Sequence, residues 1–73
     1  MDNQLRKIVG KNIRALRQEK EWSQEKLAGK AKLTSDYVGS LERGQVNVSL
    51  DSLSRIAKVL AVDPSTLLVK QDK

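Results

Sequence analysis

An all-α fold of five helices is what this sequence predicts, and three observations carry the prediction. Apolar residues recur at steps of three and four along successive stretches, no run alternates long enough to make a strand, and helix-starting residues stand ahead of most stretches.

Taken in order, Leu5, Ile8, Val9, Ile13 and Leu16 place the first helix at Leu5 to Lys20, with Arg6, Lys7, Lys11, Arg14 and Lys20 on its other face. Trp22 follows as an apolar plug at the turn. Ser23 suits the N-cap of a second helix over Gln24 to Ala31, and Glu25 sits at the positive end of its dipole. Thr34 caps a third, Ser35 to Arg43, which stops at Gly44, the residue most at ease in the left-handed conformation after a helix. Leu27, Ala28, Ala31, Leu33, Val38 and Leu41 are spaced so that these two helices bury their faces against each other.

Gln45 to Val48 read as a loop, and Ser49 caps a fourth helix whose Leu50, Leu53, Ile56, Ala57 and Leu60 form a stripe. Asp63-Pro64, a cap followed by proline at the first helical position, opens a short fifth helix holding Leu67 and Leu68. Residues 1–4 and 70–73 look loose, leaving one domain, 1–73, with an ordered part from about residue 5 to 69. A domain this small buries only about 60% of the surface its unfolded chain exposes, so the core is thin.

The chain has no cysteine and no histidine. Disulfides, thiolate metal sites and an imidazole proton shuttle are therefore absent, and neither metal nor cofactor is expected. With no glycine-rich phosphate loop and no paired carboxylates in a cleft, neither an enzyme nor a small-molecule ligand is expected. No apolar run approaches the about 20 residues that span a bilayer, and Met1-Asp2-Asn3-Gln4 is polar, so the expected location is a reducing cytoplasm without a membrane partner. The formal net charge of +5 favours a polyanionic partner. Acidic residues interspersed with the basic ones argue against an unstructured tail. Charge alone leaves nucleic acid and an anionic membrane both open.

Ile13-Arg14-Ala15-Leu16-Arg17, Trp22-Ser23-Gln24-Glu25-Lys26-Leu27-Ala28, Tyr37-Val38, Leu41-Glu42-Arg43-Gly44 and Leu53 to Leu60 narrow the choice. Together they resemble the phage-repressor and Cro-like helix-turn-helix regulators of the XRE family, over nearly the whole chain. The resemblance implies a lambda-repressor-like domain with its helix-turn-helix at the second and third helices, double-stranded DNA as partner, and transcription regulation as function. Tyr37-Val38-Gly39, Glu42-Arg43-Gly44-Gln45 and Asn47-Val48-Ser49-Leu50 look most like the controller proteins of restriction-modification systems, with a phage-type repressor or an antitoxin as the alternative. One departure stands out. Lys32 occupies the turn where the family often has glycine, so a side chain must enter a conformation that costs about 1 kcal/mol or more.

A recognition helix enters the major groove with its N-terminal residues toward base edges, after phosphate contacts have fixed its position. The resemblance thus assigns base contacts to Ser35, Asp36 and Ser40, and the aromatic Tyr37 beside them suits a thymine methyl or the sugar-phosphate backbone. A carboxylate such as Asp36 is repelled by phosphates unless it accepts from a cytosine amino group or orients a neighbour. Ordinary capping and dipole chemistry is the other account of Ser35 and Asp36. Tyr37 has a half-buried packing role equally open to it. Gln24, at the start of the second helix, together with Arg43, Asn47, Lys26 and Lys32, and Lys30 as a helper, are the phosphate candidates. For the lysines, plain solvation is the alternative. The resemblance also implies a partly buried ion pair between Arg17 and Glu42.

Gly39 lies inside the third helix at a cost of about 1 kcal/mol against alanine, so either another backbone approaches there or the position is simply tolerated. Val59, Val62, Leu67, Leu68 and Val69 exceed what so small a core absorbs, and Val62, Leu67, Leu68 and Val69 are the expected homodimer face. Two recognition helices on a twofold axis meet successive major grooves about 34 Å apart and demand a roughly palindromic operator. From a different class comes a protein-interaction or membrane-surface module, in which the basic first helix and terminal apolar residues bind a partner helix or anionic lipid.

Overall fold

Helix starts fall on the capping side chains in the computed structural model, which describes residues 3–71. Ser23 Oγ accepts from the Lys26 N–H, Thr34 Oγ1 from Tyr37, Ser49 Oγ from Ser52 and the Asp63 carboxylate from Ser65, at 3.0–3.1 Å. The elements that follow are α1 (Asn3–Glu19), α2 (Gln24–Ala31), α3 (Ser35–Glu42), α4 (Leu50–Leu60) and a 3₁₀ helix, Pro64–Leu68. Asn3 and Gln4, expected to be loose, are part of α1. Met1, Asp2, Asp72 and Lys73 lie outside the described residues.

The fold is all-helical, with four α-helices rather than five among the described residues. The expected fifth is the 3₁₀ turn, and its carbonyls explain why it goes no further. Asn12, buried on α1, donates Nδ2 to the carbonyls of Leu67 and Val69 at 2.9 Å, with Thr66 O at 3.4 Å. Those acceptors are engaged by α1, and Val69 turns to extended backbone.

Packing follows the apolar spacing. α1 lies against α3, α4 and the 3₁₀ helix, α2 against α3 and α4, and the 3₁₀ helix closes on α4. Val9, Ile13, Leu27, Val38, Leu41, Ile56 and Leu60 fill the centre. Leu50 departs from its expected place in the stripe: it is 83% exposed, because no neighbouring element covers the first residue of α4. Periodicity assigns a face but not the length over which a neighbour covers it. Leu67 departs in the opposite direction. It is fully buried, so it belongs to the core and is not available to a partner.

Two glycines set how closely α3 sits on α1. A Cβ on Gly10 would lie 2.7 Å from the Glu42 carbonyl oxygen and closer still to that of Leu41, so α1 bears on α3 through bare backbone. Gly44, at φ +70°, turns the chain out of α3 against the backbone of Lys7. Between α2 and α3 the turn is made by Lys32 at φ 58° and ψ 44°, its N–H directed to the Ala28 and Gly29 carbonyls. The expected left-handed lysine is therefore present. Trp22, partly buried at the turn after α1, has the Lys20 and Lys30 ammonium groups 5.4 and 5.1 Å from its ring centre.

Candidate nucleic-acid interface

The support for α3 is a partly buried charge pair. Arg17 Nε and Nη2 reach Glu42 Oε2 and Oε1 at 2.7 and 2.9 Å, a two-pronged contact from α1 to the end of α3. Arg17 Nη1 donates to the Trp22 carbonyl at 2.8 Å. The hydrogen bonds to Glu42 raise the Arg17 pKa above its already high ordinary value, against the opposing effect of burial. Gln24 joins this pair: its Nε2 donates to Glu42 Oε1 at 3.1 Å. The expected phosphate residue at the start of α2 is thus oriented by the ion pair behind it.

Along α3, Asp36, Ser40 and Arg43 follow at helical steps and form one stripe. Asp36 is exposed, while Ser35 and Ser40 are half-buried. No hydrogen bond or ion pair to the rest of the described residues engages the Ser35 hydroxyl or the Asp36 carboxylate. Arg43 caps the helix, with Nε on Gln45 Oε1 at 3.1 Å and Nη2 on Ser40 Oγ at 3.5 Å. The Arg43–Gln45 contact is not legible in the sequence, because an i,i+2 contact in a loop leaves no periodic trace.

Tyr37 is half-buried, its hydroxyl accepting from the Ser49 N–H at 3.4 Å. Its ring packs partly against the core. Asn47, exposed in the loop after α3, receives Arg6 Nη1 on Oδ1 at 3.3 Å. Arg6 also bonds Asn3 Oδ1, and its Nε is buried without a partner among the described residues. This arginine brings the start of α1 to the α3–α4 loop, a contact that no local sequence pattern announces. Lys26 is exposed in the first turn of α2. Lys32 stands past the far end of that helix, roughly 12 Å along its axis from Gln24 at about 1.5 Å per residue. There it lines an open groove with Lys30, Arg55 and Lys58, its carbonyl 3.4 Å from Arg55 Nη1.

Of the expected pairing face, Val62 is half-buried, whereas Leu68 and Val69 are exposed. No helix among the described residues is long and apolar enough to cross a membrane.

Two capped helices joined by Lys32, Leu33 and Thr34, the second presenting free polar groups at its start, define the helix-turn-helix class. The comparisons agree with that geometry. The helix-turn-helix family profile matches residues 13–67. The control protein C.BamHI of Bacillus amyloliquefaciens is 44% identical over 69 residues, spanning 93% of this chain and 85% of that protein. The crystal structure of the restriction-modification controller protein C.AhdI from Aeromonas hydrophila superposes with a TM-score of 0.82 at 42% identity, covering 85% of this chain and 94% of that one. The hypothetical transcription factor NHTF from Neisseria superposes with a TM-score of 0.87 at 37% identity, over 96% and 82%. The chain belongs to the helix-turn-helix family, as an XRE-type transcriptional regulator.

Proposed function

We propose that this regulator acts without catalysis of its own, reading one face of duplex DNA through α3 and pairing as a homodimer on a roughly palindromic operator. The observation that carries the reading is the free, solvent-facing Asp36 at the start of a helix braced from behind by Arg17 and Glu42. Such a helix start offers base-edge chemistry in a groove, while Gln24, Arg43 and Asn47 stand toward the other end of α3 as phosphate-binding groups. Lys26, in the first turn of α2, and Lys32, past its far end, add charge. The similarity to C.BamHI and C.AhdI supports a controller of restriction-modification genes, in a cytoplasmic setting. The genes beside its own would separate that role from a phage-type repressor or an antitoxin.

Selection from a pool of random duplexes tests the reading, since an enriched, symmetric half-site repeat is expected. On that duplex, Ser35→Ala or Asp36→Ala should change base preference at single positions by about 1 to 3 kcal/mol. Arg43→Ala and Asn47→Ala should weaken all sequences alike, and Arg43→Ala should also lower the salt dependence. Equal losses on every sequence for Ser35→Ala and Asp36→Ala would overturn the base-reading assignment.

A further inference from the structure

Gly39 is buried midway along α3 in ordinary helical backbone, so its own conformation does not require glycine. Glycine is also the poorest helix former after proline. What lies over it is informative. A Cβ at this position would be 3.1 Å from Arg43 Nη1 and 3.4 Å from Gln24 Oε1. The three nearest atoms are all side-chain atoms, unlike those at Gly10, whose missing Cβ faces the Glu42 carbonyl oxygen at 2.7 Å. Nor is the space empty, as it is at Gly29, where nothing lies within 4 Å.

The two side chains over Gly39 come from different helices, and each is held from a second direction. Gln24 is fixed through Nε2 to Glu42 at 3.1 Å, and Arg43 through Nε to Gln45 at 3.1 Å. Both belong to the proposed phosphate-binding set. A methyl group 3.1 Å from Nη1 is tighter than the 3.5 Å or so of an ordinary contact, and the end of an arginine yields before a packed helix does.

From these contacts we infer that Gly39 is a positioning residue for DNA binding: its missing side chain is the seat that holds the Arg43 guanidinium across α3, beside the Gln24 amide, for a backbone phosphate. The inference rests on the DNA-reading function proposed above. It converts a glycine that weakens the helix into a determinant of affinity.

The test uses the full chain and the duplex that it enriches from random sequences. Gly39→Ala should keep its helical circular dichroism, melt at or above the parent temperature, and bind about tenfold more weakly, the scale of one charge-assisted hydrogen bond. Gly29→Ala, also a helix-interior change, should raise the melting temperature and leave binding unchanged. In an Arg43→Ala background, Gly39→Ala should add no further loss, since its effect passes through that guanidinium. Parent-level affinity in Gly39→Ala, an undiminished loss without Arg43, or loss of helix would each overturn the seat. If the parent chain enriches no duplex, the DNA-reading function itself fails and this inference falls with it; binding by the parent with an indifferent Gly39→Ala removes the seat alone.

Discussion

Arg17 and Glu42 meet through two hydrogen bonds that tie the last turn of α1 to the last residue of α3, with the Glu42 side chain 3% and the Arg17 side chain 12% exposed. Gln24 and the Trp22 carbonyl complete the set of partners. Replacing both charges by well-packed apolar groups need not destabilise, but removing one strands the other in a desolvated place. Arg17→Ala and Glu42→Ala should each cost about 3 to 5 kcal/mol in urea unfolding. The double variant should lose less than the sum of the two. DNA binding lost in either single variant then tracks the unfolded fraction, and recovers at lower temperature wherever circular dichroism shows the helices restored.

Lys32 occupies the left-handed conformation, and its N–H still closes the end of α2. A glycine would keep those bonds without the Cβ clash, although it enlarges the freedom of the unfolded chain. The first effect is about 1 to 2 kcal/mol and the second about 0.4 to 1 kcal/mol, so the first wins. Lys32→Gly should raise stability by up to about 1.6 kcal/mol on those magnitudes. Ala61, at φ 61° after α4, should respond to glycine in the same direction. Chemical denaturation of the two variants checks both, and a destabilised Lys32→Gly would show that the lysine side chain contributes more than its backbone strain removes.

Most of the fold was legible because it is local. Ser23, Thr34, Ser49 and Asp63 cap as their spacing implied, since a cap depends on residues only two or three positions away. The Arg17–Glu42 pair came through family resemblance, not through any pattern in the residues themselves. What escaped was whatever depends on the far ends of elements: Asn12 reaching Leu67, Arg6 reaching Asn47, and Gly10 under the end of α3. Leu50 and Leu67 exchanged places for the same reason. A hydrophobic stripe gives direction around a helix, while exposure depends on which neighbour ends where.

Asp63 makes one element of stability depend on pH. The Ser65 backbone N–H, and after it the Ser65 hydroxyl, hold the carboxyl below its ordinary value, with oxygens and nitrogen 2.9–3.0 Å apart. A group whose folded pKa is depressed stabilises above its unfolded pKa and loses that contribution as pH falls through the folded value. Asp63→Asn should therefore differ most from the parent above about pH 4, the ordinary carboxylate range, and converge with it in more acid solution. Melting temperatures across that range check the sign; a gap that widened on acidification would contradict the cap's assignment.

Leu67 and Val69 are two residues apart, yet the first is fully buried and the second 58% exposed. The Asn12 amide holds the carbonyls of both, so the chain is pinned to α1 just where the side chains part company. Leu67→Ala should therefore behave as a core truncation and cost about 2 to 5 kcal/mol. Val69→Asp should leave the monomer within about 0.5 kcal/mol of the parent, as surface changes do. If Leu68 and Val69 form the pairing face, Val69→Asp shifts sedimentation toward the monomer and weakens operator binding, because two half-sites are no longer gripped together. An unchanged dimer in Val69→Asp would move the pairing face away from this end of the chain and make Leu50, 83% exposed at the start of α4, the next residue to change.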